Sequence, residues 1–305
     1  MAIPEQPIAD APSARPGGGR AGLTWSRAWS RVRALARALV GSCHPGPTAA
    51  VTVLVTVLAW AAGHSAVRTA LIAAAVLTGQ SSVGWCNDAF DARRDIAAGR
   101  RDKPIAAGAV GVRTVWTAAW CALALCVPLS LAVGPLAGAV HLAGVAAAWA
   151  YDLRLKSTAW SWLPYAAGFA SLPAFVALSL PGHPWPAWWL ACAGALLGVG
   201  AHLGDVLPDI SGDLAAGVRG WPQRLGASAT RLLLPLPLVA ATALLVLGPP
   251  GPPGTRSAAA LLAAVLVAVT GSVVGRQWER AAFAAAVMVA ALDVALLVGR
   301  GAAIT

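Results

Sequence analysis

Nine apolar runs divide this chain, at about residues 48–66, 69–86, 114–131, 133–151, 161–180, 185–204, 230–247, 257–274 and 280–298. Each is close to the roughly 17–25 residues that a helix needs to cross a bilayer. Inside lipid every backbone N–H and C=O must find its partner within the protein, so runs of this length and composition span as helices. Residue usage agrees, at 58% hydrophobic and 11% charged, with a mean hydropathy of +0.69. The expected fold is all-α, a polytopic membrane protein of about nine transmembrane helices.

Charge placement gives the orientation, because Lys and Arg gather on the cytoplasmic side of spanning helices. With the N-terminus cytoplasmic, the N-terminal arm and the loops after the second, fourth, sixth and eighth runs hold 19 of the 22 Lys and Arg; Arg68, Arg256 and Arg300 fall elsewhere. The expected location is the inner or plasma membrane. The net charge of +10 is then topological, with an added attraction to anionic lipid or an anionic substrate. Nucleic acid is not an expected partner, since the cations are spread over separate segments of a bilayer protein. Residues 1–45 form a basic arm and 46–300 a single transmembrane domain. The arm does not read as a signal peptide. From Ser26 to Val40, Arg27, Arg31, Arg33 and Arg37 alternate with Trp29, Val32, Leu35 and Leu39. That pattern suits an interfacial helix, and equally a disordered basic tail. The five cysteines are scattered and indicate neither a zinc site nor a disulfide framework, and Cys86 is a candidate for solvent access.

The charged residues that remain gather in two motifs on the cytoplasmic side. After the second run come Asn87, Asp88, Asp91 and Asp95, with Arg94, Arg100, Arg101 and Lys103 close behind. Asp88, Asp91 and Asp95 stand at i, i+3 and i+7, so on a helix the three carboxylates share one face. Hard oxygen ligands in this pattern suit Mg²⁺, which takes one or two carboxylates and completes its shell with water and phosphate oxygens. After the sixth run Asp205, Asp209 and Asp213 repeat the pattern at i, i+4 and i+8. A shift of 118 positions lays Asp91 on Asp209, Asp95 on Asp213, Gly99 on Gly217 and Arg101 on Arg219. Two facing acidic clusters can hold Mg²⁺ ions and, between them, a diphosphate. Tyr151, Arg154 and Lys156 end the fourth run as a set suited to an anionic leaving group. Prolines 164 and 173 are expected to kink the fifth helix, and Gly194, Gly198, Gly200 and Gly204 to allow close helix contact along the sixth. His202 shares a helix face with Asp205 and is either its hydrogen-bonding partner or an ordinary buried histidine. His141 is assigned to packing or to lining the cavity without chemistry, and Asp293 ranks below the two motifs because it lies toward the outer side.

Asn87-Asp88-x-x-Asp91-x-x-x-Asp95, the Lys-Pro loop ending at Gly108, Tyr151-x-x-x-Leu155-Lys156 and Asp209-x-x-x-Asp213-x-x-x-Gly217 together resemble the UbiA superfamily of intramembrane prenyltransferases, over roughly residues 45–300. The resemblance implies helices around a central cavity that opens sideways to lipid. It implies metal and diphosphate binding by Asn87, Asp88, Asp91, Asp95, Asp209 and Asp213, with Asp205 in the catalytic set. Arg94, Arg101, Lys103, Tyr151, Arg154, Lys156 and Arg219 are the remaining candidates for holding diphosphate. The implied reaction is Mg²⁺-dependent transfer of a prenyl group from an isoprenyl diphosphate donor to a small hydrophobic or aromatic acceptor. Two alternatives remain: cyclisation of the prenyl diphosphate itself, and a non-enzymatic cation transporter. The transporter ranks last because its acids belong near the bilayer midplane. Asp205 and Leu214 depart from the family pattern.

Overall fold

A computed structural model describes residues 19–278 and 280–299, so residues 1–18 of the basic arm and Arg300 lie outside the described residues. The described chain is all helical: α1 Gly19–Ser42, α2 Pro45–Ala61, α3 Ala66–Ala97, α4 Val112–Val133, α5 Pro135–Leu153, α6 Trp162–Leu178, α7 Trp188–Val206, α8 Ile210–Ala215, α9 Trp221–Leu233, α10 Pro235–Leu247, α11 Thr255–Val274 and α12 Ala281–Gly299. The protein is an integral membrane protein. Six helices are long and apolar enough to cross a bilayer, and eight segments qualify when the bent pairs α1–α2 and α9–α10 are each taken as one span. The expected fifth span, α6, is apolar but only 17 residues long. At 1.5 Å per residue it reaches about 25 Å, short of the roughly 30 Å hydrocarbon core.

Glycines set how closely the bundle packs. A side chain at Gly194 would meet the carbonyl of Phe169, one at Gly198 the carbonyl of Tyr165, and one at Gly204 the backbone of Ala282. The expected close contacts of α7 are thus made to α6 on one side and α12 on the other. The main core joins α2, α3, α6, α7, α10 and α12 around Phe175, Ile72, Leu178 and Leu245. Many large apolar side chains, among them Val67, Leu232, Leu236 and Leu262, point outward, as they must in a protein whose solvent is lipid.

The arm enters as a helix from Gly19, which favours the interfacial reading over the tail for this part; the side chain of Arg27 lies outside the described residues. Trp29, Val32 and Val40 are exposed on α1, and the chain turns by 70° into α2. The elbow rests on the first acidic motif. Trp85 Nε1 donates to the carbonyl of Leu39 at 2.8 Å, and Gly84 takes the Cys43 carbonyl against its Cα.

Candidate active site

The first motif is not a loop behind a helix: α3 continues through it, and the three aspartates occupy its last three turns. What stops the helix is Gly99, whose φ of 67° no β-carbon-bearing residue adopts cheaply. It makes a Schellman cap, in which Arg100 N–H donates to the Asp95 carbonyl at 3.0 Å and Gly99 N–H to the Ile96 carbonyl at 3.1 Å. The second motif ends identically: Gly217 has φ 81°, Val218 N–H reaches the Asp213 carbonyl at 2.8 Å, and Gly217 N–H the Leu214 carbonyl at 3.2 Å. The internal repeat is therefore a repeat of backbone structure, one cap closing each acidic segment.

The periodicity of Asp88, Asp91 and Asp95 places them as expected, and all three are buried, at 2%, 4% and 5% exposure. Three buried like charges would repel strongly, and the structure sets three cations among them. Lys103 Nζ lies 3.1 Å from both Asp88 and Asp95. Lys156 Nζ pairs with one oxygen of Asp91, and Arg94 holds the other at 2.7 Å. His44, at the α1–α2 elbow, stands 3.5 Å from Asp88. Burial works to lower the pKa of Lys103, but Asp88 and Asp95 outweigh it and raise the value above normal, so Lys103 stays an ammonium.

The second motif does not form one helical face. Proline 208 has no N–H to donate, and the chain passes from α7 through a 3₁₀ turn at Leu207–Asp209 into the short α8. Its three acids consequently point to different partners. Asp209 accepts from Arg100 Nη1 at 3.2 Å, across 109 residues of sequence, and this ion pair joins the two motifs. Arg100 is also forked onto Asp102 at 3.0 Å on each arm, and that hydrogen bond holds the Asp102 carboxyl below its ordinary pKa. Asp213 accepts from Gln223 at 2.8 Å and Asp205 from the hydroxyl of Tyr165 at 2.8 Å. Asp205 is exposed at the end of α7.

Several expectations are settled or need correction. Of the two alternatives for His202 the buried histidine holds: it bonds to Ser161 Oγ at 3.0 Å and not to an acid, and its ring tilts against Tyr165 at 4.7 Å. Tyr151 packs edge-on against Tyr165 at 5.0 Å and His202 at 5.6 Å, so its ring is turned to this aromatic group while Lys156 is turned to Asp91. Arg101, Arg154 and Arg219 are exposed, with no ion pair among the described residues. Cys86 is fully buried beneath the motif, because α4 and α5 cover that face of α3. His141 belongs to packing as expected, bonded to Ser130 at 2.8 Å and stacked on Phe175 at 4.5 Å. Asp293 is buried on α12 with Thr242, apart from both motifs. Residues the motif reading missed are His44, Arg100 as the bridge, Tyr165 and Asp152, which accepts from Asn87 Nδ2 at 2.9 Å. One signal pointed to Tyr165: the chain has two tyrosines, and both stand here.

Among the described residues no three carboxylate, histidine or cysteine side chains converge on a single metal position. The donor set nevertheless fits Mg²⁺. It is all hard oxygen, and Asp88 Oδ2 is buried without any hydrogen-bond partner, an orphan that a hard cation would satisfy. Loading would require Asp88, Asp91 and Asp95 to exchange Lys103, Lys156 and Arg94 for the ion.

Known proteins share this fold. The solved UbiA homolog from Aeropyrum pernix K1 superposes with a TM-score of 0.65 at 19% identity, over 84% of this chain and 98% of that one. The UbiA homolog from Archaeoglobus fulgidus, solved bound to DMAPP and Mg²⁺, gives 0.64 at 14% identity, over 88% and 99%. These likenesses are of fold. In sequence, the bacteriochlorophyll synthase 33 kDa chain of Cereibacter sphaeroides is 33% identical over 159 residues, 48% of this chain and 49% of that protein. The chain thus matches about half the length of this curated relative. The sequence profile of the UbiA prenyltransferase family covers far more, residues 49–292, taking in every helix from α3 to α11 and both acidic motifs. By that match the chain belongs to the UbiA prenyltransferase family.

Proposed function

We propose that the protein is a Mg²⁺-dependent prenyltransferase that moves a prenyl group from an isoprenyl diphosphate to a small hydrophobic or aromatic acceptor within the membrane. The observation that carries this reading is the Arg100–Asp209 pair, which holds two acidic motifs 109 residues apart at one end of the bundle. The A. fulgidus homolog bound to DMAPP and Mg²⁺, and again to GPP and Mg²⁺, supports the class of donor. We place the site on the cytoplasmic face of an inner or plasma membrane, in residues 46–300, at the mouth of a central cavity. The described part of the basic arm, from Gly19, lies along the lipid surface.

In this reading Asn87, Asp88, Asp91, Asp95, Asp209 and Asp213 hold the metal. When bound, Mg²⁺ supplies positive charge to the departing diphosphate. Lys103, Lys156 and Arg94, released from their carboxylates, turn to the same diphosphate, and Arg101, Arg154 and Arg219 reach it from the exposed rim. Tyr151 and Tyr165 offer ring faces to the cationic carbon, and the apolar walls keep water from it. Cyclisation shares the ionisation step, so the product decides. The test is to incubate proteoliposomes with Mg²⁺ and radiolabelled DMAPP or GPP plus an organic extract of the expressing cells. A labelled product heavier than the prenyl chain supports transfer, and a labelled hydrocarbon of the prenyl chain alone refutes it in favour of cyclisation.

A further inference from the structure

The end of α5 is held against the acidic stretch of α3 by two contacts in one register. Asn87 Nδ2 donates to Asp152 Oδ1 at 2.9 Å, and four residues further along each segment Lys156 pairs with Asp91; both contacts join residues 65 apart in the chain. The Lys156 contact joins opposite charges. The Asp152 contact is less obvious. Asp152 is 2% exposed, makes no ion pair among the described residues, and its Oδ2 is buried without a hydrogen-bond partner. Lys156 and His44 act on it only through space. A buried carboxylate held so incompletely is costly, and packing alone would be served better by an apolar side chain.

What a carboxylate can do, and an apolar side chain cannot, is fix the direction of an amide. An amide has donors at one end and an acceptor at the other, whereas a carboxylate only accepts. With Nδ2 of Asn87 given to Asp152, its Oδ1 is directed away from Asp152, and that oxygen has no hydrogen bond among the described residues. An amide carbonyl is a hard oxygen donor, and Asn87 stands one helical turn before Asp91 on the same side of α3. We propose that Asp152 is a positioning residue of the metal site: it holds the Asn87 amide with its oxygen presented to Mg²⁺. The proposal rests on the prenyltransferase reading above, in which Asn87 is a metal ligand. In that reading Lys156 leaves Asp91 for the diphosphate, so the Lys156 contact is lost on loading. The Asn87–Asp152 contact survives, because the ion takes the other end of the amide, and it keeps α3 in register with α5.

The test measures Mg²⁺ binding apart from turnover, in a double-mutant cycle. Detergent-solubilised protein is heated at a series of Mg²⁺ concentrations with the uncleavable thiolo analogue of GPP held fixed, and the gain in melting temperature gives the half-saturating Mg²⁺. Asp152→Ala should raise that concentration roughly 10- to 100-fold, the usual effect of losing a group that orients a metal ligand. Pyrophosphate release from GPP at saturating Mg²⁺ should stay within about threefold of wild type. In an Asn87→Ala background the same substitution should change half-saturation by less than about twofold, because the amide it orients is gone. Asp152→Asn keeps the shape and an acceptor but lets the paired amides turn over; it should raise the requirement about threefold alone and leave it unchanged in Asn87→Ala. An unchanged Mg²⁺ requirement in Asp152→Ala refutes the proposal. So does an equal loss with and without Asn87, which would make Asp152 a ligand itself or a purely structural group. Both of those results leave the prenyltransferase reading standing. A wild type that neither gains stability from Mg²⁺ with the analogue nor releases pyrophosphate from GPP overturns that reading, and the proposal with it.

Discussion

Lys103 is the residue whose removal most directly tests how the first motif is held together. Its ammonium stands 3.1 Å from two carboxylates that are 2% and 5% exposed, and its own side chain is 16% exposed. At an effective dielectric of about 20, each contact at that distance is worth roughly 5 kcal/mol of gross attraction. Most of this is offset by desolvation, so the measurable loss comes from leaving two buried carboxylates without a counter-charge, about 3–5 kcal/mol when a buried pair loses one partner. For a chain of this size, at about 2–4 °C per kcal/mol, Lys103→Met should lower the apparent melting temperature on the order of 10 °C. The assay is the loss of the monodisperse peak of detergent-solubilised protein after heating, in EDTA. Mg²⁺ added to Lys103→Met should restore a large part of the loss, because the two freed carboxylates then have a cation to take the lysine's place. An unchanged melting temperature in EDTA would show that water reaches these carboxylates freely, and the buried charge network would be wrong.

Other outcomes follow from the same geometry. Arg100→Ala removes a half-exposed pair and should cost under about 1 kcal/mol of stability, seen in the same heating assay, while loosening the link between the motifs. Gly84→Ala should destabilise the protein clearly, since the new β-carbon would overlap the Cys43 backbone, whereas Gly212→Ala, with open space around it, should leave the melting temperature within about 1 °C. Cys86, buried beneath the motif, should resist maleimide in the folded protein and react after denaturation in SDS, as mass spectrometry would show.

The acidic face of α3 was legible in the sequence because a helix repeats every 3.6 residues, so Asp88, Asp91 and Asp95 could only lie together. The register of the internal repeat was legible too, and Gly99 and Gly217 explain why: each is the one residue that accepts the left-handed turn of its cap. The second motif was harder to read. Its even spacing suggested one face, but Pro208 stands in a 3₁₀ turn between Asp205 and Asp209, and the three acids take different partners. Choosing Arg100 as the bridge over Arg93, Arg94 or Arg101 depends on where the Gly99 cap aims the chain, which spacing does not encode. Tyr165 and Ser161 reach the site only through the packing of α6 on α7, a contact made possible by Gly194 and Gly198 and invisible to local pattern. The count of spans differed because hydropathy gives an apolar run over about 161–180, whereas the helix α6 covers Trp162–Leu178.

The central claim is that the two acidic motifs, joined by Arg100 and Asp209, make one metal-dependent diphosphate site. The measurement that tests it most directly is pyrophosphate release from GPP in proteoliposomes, with Mg²⁺ or EDTA, for wild type, Asp91→Ala and Asp209→Ala at equal inserted amounts. The account predicts release by the wild type that requires Mg²⁺ and is lost in both variants, although they lie in different motifs. Full release by either variant, or release by the wild type in EDTA, would contradict it.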